Sequence, residues 1–343
     1  MAGAVFRLPF EQPIFELAEQ IEDLEAAEPK TPEMRERIRG LRKQLVETTK
    51  TIYGNLGPWE TVRVARHPER PMFTDYLHLV FDEFVELHGD KFFGDDRALR
   101  TGFAKLDQYK VLVAGHQKGK TLKERNECYF GCAHPEGYRK AMEKMRLAAK
   151  FGLPIIALID TPGAYPGIGA EERGQAQVIA ESMMTMSRLP TPIICVVIGE
   201  GGSGGALGIG VGDRVAILQH AYYSVISPEG CAGILLKRHD YAEKAAQALR
   251  ITSRHLKQMG TVDDVIEEPL GGAHRDHHQT AARLKMYLIK TLRELMRLPK
   301  EQLLAERYEK FRRIGPYLEV TDVAEAVGAV AEDGAAHEQR ANH

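Results

Sequence analysis

Ile198-Gly199-Glu200-Gly201-Gly202-Ser203-Gly204-Gly205-Ala206-Leu207 leaves an apolar run at 192–198 and enters a run of small residues. Glycine is needed where the backbone takes φ > 0 or must lie against a ligand with no Cβ in the way. A turn that opens a helix also points N–H groups outward, because no carbonyl of a preceding turn accepts them. Such groups can hold a carbonyl oxygen as it becomes an oxyanion, and losing one such donor costs about 3 kcal/mol of transition-state stabilisation. A flexible Gly/Ser linker has the same composition, but apolar strands stand close on both sides and a linker would interrupt the core.

A second glycine-rich stretch, Ile159-Asp160-Thr161-Pro162-Gly163-Ala164-Tyr165-Pro166-Gly167-Ile168-Gly169-Ala170-Glu171-Glu172-Arg173-Gly174, also follows an apolar run. Ligands of α/β sheets sit outside the carboxyl ends of strands, so turns after successive strands converge on one crevice. Asp160 and Glu171 are candidates to orient this loop or to pair with Arg173; a purely structural turn is the alternative.

Farther out, short apolar strands alternate with amphipathic helices. Strands are expected at Leu99–Leu106, 110–115, 155–159, 192–198 and Arg214–Leu218. Helices are expected over 74–88 and from Pro135, Glu171, Gly204, Ala242, Ser253 and Gln279. That alternation predicts an α/β fold of parallel βαβ units buried on both faces. The helix opening at Pro135 shows the signal well: Tyr138, Ala141, Met142, Met145, Ala148 and Ala149 form one stripe, and Pro135-Glu136 suits a first turn.

Toward the N-terminus, Ile14, Leu17, Ala18, Ile21 and Leu24, then Met34, Ile38, Leu41, Leu45 and Ile52, recur at helical spacing around the break Glu28-Pro29-Lys30-Thr31-Pro32. Prolines cannot continue a helix, so residues 1–55 read as a helical hairpin extension. The main domain spans 56–315, and the Ala/Glu-rich stretch 316–343 reads as a disordered tail.

The 343 residues are 43% apolar and 27% charged with a formal net charge of −2, the composition of a soluble globular protein with no call for a polyanionic partner. No run of eighteen apolar residues and no secretory signal occurs, which predicts a cytoplasmic protein. Of Cys128, Cys132, Cys195 and Cys231 only the first pair is close enough in sequence to suggest a site, and Cys128 and Cys132 lack a second ligand pair at zinc spacing, so free buried thiols are expected of them. Gly115 to Thr121 imitates a phosphate loop but has three residues between its glycines where four are required. Its lysines could still meet a phosphate; a solvated charge run is the default. His274, Asp276, His277 and His278 crowd one loop, yet neighbouring histidines rarely converge on one ion, and no metal is expected on this chain.

The ordered motifs HQKG (116–119), PEGYRKA (135–141), IDTPGAYPG (159–167), GAEERGQ (169–175), IGEGGSGGAL (198–207) and SVISPEGCA (224–232) resemble the α-subunit family of bacterial acetyl-CoA carboxylase carboxyltransferases over about residues 5–315. The resemblance implies a crotonase-like fold of stacked ββα units with the N-terminal helical hairpin added. It implies transfer of a carboxyl group from carboxybiotin, carried on biotin carboxyl carrier protein, to acetyl-CoA, giving malonyl-CoA for fatty-acid synthesis. It also implies an α2β2 assembly with a β subunit that carries zinc, alongside an ATP-dependent biotin carboxylase. This chain should be inactive alone. Carried onto this sequence, the backbone N–H groups of Gly204 and Gly205 form the oxyanion hole. Gly201, Gly202 and Ala206 shape that turn, and Gly163, Ala164, Tyr165, Pro166 and Gly167 line the carboxybiotin pocket. Lys118, Lys120 and Lys123 are candidate contacts for the phosphates of CoA.

Two other readings compete. Gly201-Gly202-Ser203-Gly204-Gly205 satisfies G-x-S-x-G, with Asp263 and His274 downstream in the chain order of a serine hydrolase. A non-catalytic RNA-binding scaffold is the other, and the near-neutral charge without an aromatic–basic stripe speaks against nucleic acid.

Overall fold

A computed structural model describes residues 6–27 and 31–315. The expected tail at 316–343 and the break at Glu28-Pro29-Lys30 lie outside the described residues.

Strands β4 (Ile155–Thr161) and β5 (Ile193–Gly202) are buried at every position, which explains why their sequences are continuous apolar runs rather than alternating ones. They form the centre of an eight-stranded sheet with β1 (Asp82–Glu86), β2 (Leu99–Leu106), β3 (Tyr109–His116), β6 (Arg214–Leu218), β7 (Tyr222–Ser224) and β8 (Asp264–Ile266). The order is β1-β2-β3-β4-β5-β6-β8, with β7 pairing the far end of β5. β1, β2 and β3 run antiparallel, and every pairing from β3 onward is parallel. A two-residue turn joins β2 to β3, with Asp107 at φ 53°.

The helix Pro135–Lys150 packs across β2 and β3 and against the helix Gln175–Arg188, while His277–Leu295 packs on Phe73–Val80 and crosses β5 and β8. These contacts bury one continuous apolar core that runs from Phe73 to Leu303. Among the described residues no helix is long and apolar enough to cross a membrane. The N-terminal helices Gln12–Ala26 and Pro32–Gly54 pack on each other, joined at their surface by an Arg42–Glu25 pair at 2.6 Å.

Several expected elements differ. The helix expected over 74–88 ends at Val80, and Asp82–Glu86 is instead an edge strand. Phe81, Phe84 and Leu87 fit a helical stripe, but Asp82 and Val85 pair with Lys105 and Phe103 of β2, and Glu83 at φ 52° breaks the helix between them. The helix expected from Glu171 is two, Ile168–Glu172 and Gln175–Arg188, divided at Gly174 with φ 81°. In the stretch from Gly54 to Pro71, which Gly54, Gly57, Pro58, Pro68 and Pro71 mark in the sequence as a link, Pro58–Ala65 is helical. Lys300–Arg312, not expected, is a helix anchored by Arg307, whose guanidinium is fully buried against Asp213 at 2.7 Å and the carbonyls of Met186, Leu189 and Thr191.

Candidate active site

Both glycine-rich stretches leave the carboxyl ends of adjacent parallel strands, and the structure brings them into contact. β5 ends at Gly202, and the short helix Ser203–Leu207 begins at once. Ser203 makes that turn at φ 48°, a left-handed conformation that an L-residue adopts only under strain. The first-turn amides of Ser203, Gly204 and Gly205 have no preceding helical carbonyl to donate to. Gly205 is buried against the other turn: a Cβ there would run into the Gly163 carbonyl carbon and come within 2.6 Å of the Ala164 nitrogen. Gly202 likewise lies on the Pro162 peptide, where an added Cβ would sit 2.8 Å from the Thr161 carbonyl oxygen.

Gly204 differs, being half-buried with its nearest neighbour, Ile179 Cδ1, 3.6 Å from where a Cβ would be. The helix itself is fixed from below. The buried Tyr138 hydroxyl donates to the Gly205 carbonyl at 3.2 Å, and Ser182 Oγ donates to the Gly208 carbonyl at 2.6 Å. Ala206 is fully buried, and Gly201 leaves room for the Tyr223 ring.

The opposite turn is braced by its own side chains. Thr161 Oγ1 donates to the Gly163 carbonyl at 2.7 Å and accepts the Gly163 N–H at 3.1 Å. Gly167 is bare where the Tyr165 ring passes, and that ring stacks on His134 at 4.0 Å. Gln175 Nε2 donates to the carbonyls of Ala133 and Tyr165 at 2.8 and 3.1 Å, tying the loop to the next helix. Pro166 stands exposed at the rim.

Beneath the two turns lies a polar cluster that sequence reasoning missed. Pairing of Ile159 with Val197 is followed by Thr161 with Gly201, so two steps along β4 match four along β5. This bulge loosens backbone groups that side chains then satisfy. Arg70 Nε donates to the Ile198 carbonyl at 2.8 Å, and the Glu200 N–H donates to Asp160 Oδ1 at 2.8 Å. Bulges of this kind re-aim the chain next to active sites. Arg70 is held in turn by a two-pronged pair with the fully buried Glu268 at 2.6 and 3.0 Å. Lys118 bridges Asp160 at 2.7 Å and Glu200 at 2.5 Å, while Arg66 and the Tyr222 hydroxyl each reach Glu200 Oε1 at 2.6 Å. Burial alone would raise the Glu200 carboxyl, but the Lys118 and Arg66 charges outweigh it and hold it at about 2.

Other expected residues fall elsewhere. Lys118 is engaged by two carboxylates, so the phosphate contact expected of it gives way to an internal ion pair. Lys120 pairs with Asp75 at 2.6 Å beside a cleft of about 630 Å³ that Arg97 and Arg100 also line, and Lys123 is exposed. Arg173 pairs with Glu136 at 2.6 Å rather than with Asp160 or Glu171. The hydrolase triad is not assembled. Asp263 accepts from the Val215 N–H at 2.6 Å and from Lys310 at 3.0 Å, and His274 is buried beside Glu11 and Tyr53.

The histidine-rich loop does not converge either. Asp276 caps the helix His277–Leu295, and His277 bonds the Glu69 carbonyl at 2.6 Å. His274 instead meets Glu11 and His67, with one potential ligand atom from each within 4.8 Å of the others. The two rings stack at 4.0 Å and 21°, so their in-plane lone pairs run side by side rather than toward one point. Glu11 already accepts from Arg275 at 2.6 Å and Tyr53 at 2.8 Å, which makes this trio a latch for the N-terminal segment. All four cysteines are free thiols; burial pushes Cys128 up to about 11 and Cys195 to about 12, which leaves both unreactive.

Comparison with known proteins bears on this geometry. In a transcarboxylase 12S hexamer solved with methylmalonyl-coenzyme A and methylmalonic acid, one chain superposes with a TM-score of 0.51 at 23% identity, over 64% of this chain and 42% of that one. This chain thus spans less than half the length of that transcarboxylase chain. A Pseudomonas malonate decarboxylase hetero-tetramer in complex with coenzyme A gives 0.52 at 16%, over 71% of this chain and 92% of that one. These likenesses show the fold class alone, the crotonase-like α/β sheet expected from the sequence.

Sequence narrows the class. Residues 7–315 match the family described as "Acetyl co-enzyme A carboxylase carboxyltransferase-like", and the chain belongs to that family. It is 67% identical over 312 residues to the acetyl-coenzyme A carboxylase carboxyl transferase subunit alpha of Rhodopirellula baltica, covering 91% of this chain and 98% of the relative. The subunit of the same name from Methylococcus capsulatus is 53% identical over 313 residues, with 91% and 98% covered.

Proposed function

We propose that this chain is the α half of a cytoplasmic acetyl-CoA carboxyltransferase, paired with a zinc-bearing β subunit as α2β2. It would accept the carboxyl group of carboxybiotin on biotin carboxyl carrier protein and deliver it to acetyl-CoA, forming malonyl-CoA. Biotin carboxylase reloads the carrier within the larger complex. The single observation that carries this reading is the contact of Gly205 with Gly163 and Ala164, which sets helix-head amides beside a second glycine-rich turn.

Carboxyl transfer to a thioester passes through species whose negative charge rests on oxygen. Preorganised N–H donors in a dry cleft stabilise such charge without reorganising during the step. The N–H groups of Gly204 and Gly205 fit a ureido or carboxyl oxygen in this role, with Gly201, Gly202 and Ala206 holding their turn. Gly163, Ala164, Tyr165, Pro166 and Gly167 would form the wall against which carboxybiotin lies. Lys120 and Lys123 remain candidates for CoA phosphates. Residues 1–55 act in this reading as a helical extension of a transferase domain spanning 56–315.

The test is to assemble the chain with a candidate β subunit and assay malonyl-CoA-dependent carboxylation of a biotin derivative. Transfer requiring both chains is the expected result; transfer by this chain alone, or none from the assembled complex, overturns the reading.

A further inference from the structure

β3, β4 and β5 are adjacent parallel strands, and one charged side chain from β4, one from β5 and one from the chain just past β3 enter the space where the bulge in β5 parts it from β4. Lys118 lies two residues beyond the end of β3, Asp160 one residue before the end of β4, and Glu200 two before the end of β5. The root of Lys118 is fixed, since the Gln117 N–H donates to the Ala98 carbonyl at 2.8 Å and Gln117 Oε1 accepts from the Thr74 N–H at 3.2 Å. Its stem runs past Gly131, where φ is 87° and a Cβ would sit 2.8 Å from Lys118 Cγ. Gly199 is bare for a matching reason, because a Cβ there would meet Asp160 Oδ1 at 2.5 Å. The lysine side chain is 16% exposed, and the two carboxylates are 7% and 8% exposed.

The two carboxylates stand at the roots of the two turns. Asp160 immediately precedes Thr161-Pro162-Gly163, and Glu200 immediately precedes Gly201-Gly202. Side by side and unneutralised they would repel, and between the Ile159–Val197 and Thr161–Gly201 pairings the bulge replaces the ladder bonds by the Glu200 N–H bond to Asp160 Oδ1. One ammonium between them turns that repulsion into a tie. Arg66 adds to it from outside, reaching Glu200 at 2.6 Å and Glu229 at 2.5 Å.

We propose that Lys118 is a positioning residue for carboxyl transfer: by bridging Asp160 and Glu200 it fixes the placement of the 201–205 amides relative to the 161–164 turn. This rests on the carboxyltransferase reading above. A reacting group misplaced by about 1 Å can lose about a hundredfold in rate, and the lysine acts on the two turns without touching substrate.

The experiment uses the complex assembled with its β subunit. In Lys118→Met, kcat falls about a hundredfold while KM for the biotin derivative moves less than about threefold. Lys118→Arg recovers a large part of kcat. Lys105→Met, which removes an exposed pair with Glu83, leaves both constants unchanged. Should Lys118→Met fold poorly, Lys118→Met/Glu200→Gln removes one uncompensated carboxylate, restores folding and keeps kcat low. Wild-type kcat per folded site in either variant overturns the inference, because a purely structural pair changes the number of folded molecules and not their turnover. A wild-type complex without transfer defeats the functional reading instead and takes this inference with it.

Discussion

Two buried polar clusters hold this chain in shape, and they respond to acid differently. At the roots of the glycine-rich turns, lysine and arginine charges meet carboxylates. At the N-terminal latch, one carboxylate shares its space with two stacked histidines. Burial drives His67 down to about 4 and also lowers His274. Glu11, which burial alone would raise, is brought to about 2 by His274 and Arg275. A histidine whose folded value is depressed contributes stability that is complete above its ordinary value near 6.5 and is lost as pH falls toward about 4. The carboxylates Glu11 and Glu200 contribute stability that is complete above about 4.5 and fades only toward about 2. Mild acid therefore loosens the arm first; near the turns the same sense of shift belongs to His116, which burial and then the Lys118 charge hold down to about 3 inside the core.

The sharpest way to break this contrast is to strike the pair behind the turns. Arg70→Met leaves Glu268 charged and unpaired in the core and orphans the Ile198 carbonyl, so urea unfolding should show a loss of about 3–5 kcal/mol. Gly205→Val comes next. Its Cβ runs into the Gly163 peptide, which destabilises the fold by about 1–3 kcal/mol and abolishes transfer, whereas Gly204→Ala meets nothing nearer than 3.6 Å and folds normally. The smallest effect belongs to the latch. Between pH 7 and pH 5, the opening equilibrium of Gln12–Ala26, read from amide exchange after dividing out the intrinsic rate at each pH, should rise by about tenfold, while the ends of β4 and β5 stay protected. His67→Phe should remove most of that pH response, and equal loosening of both regions would erase the distinction.

The sheet and the paired turns are legible in the sequence because their determinants are local. An unbroken apolar run such as Ile193 to Ile198, set between amphipathic helices, marks a strand buried on both faces as in a parallel sheet, and glycines after strands mark places where a Cβ would collide. The Gly205–Gly163 contact follows from strand adjacency. The cluster beneath is less legible because its partners are distant: Lys118 and Glu200 are 82 residues apart, and Arg66 and Glu200 are 134 apart. Arg66 and Arg70 also sit in a proline-bearing stretch that reads as a link. The bulge that calls for them leaves no mark except Gly199 and Glu200 inside an apolar strand, which is the signal that could have located it. Lys118 reads as part of a solvated basic run until its neighbours on β4 and β5 are known.

In the proposed reaction the backbone amides at the head of the Ser203–Leu207 helix carry the charge that develops during transfer. Replacing Gly204 by glycolic acid turns its amide into an ester, removing one N–H while adding no bulk. The rate of carboxyl transfer by the assembled complex should then fall about a hundredfold with the fold unchanged; an undiminished rate would contradict the account.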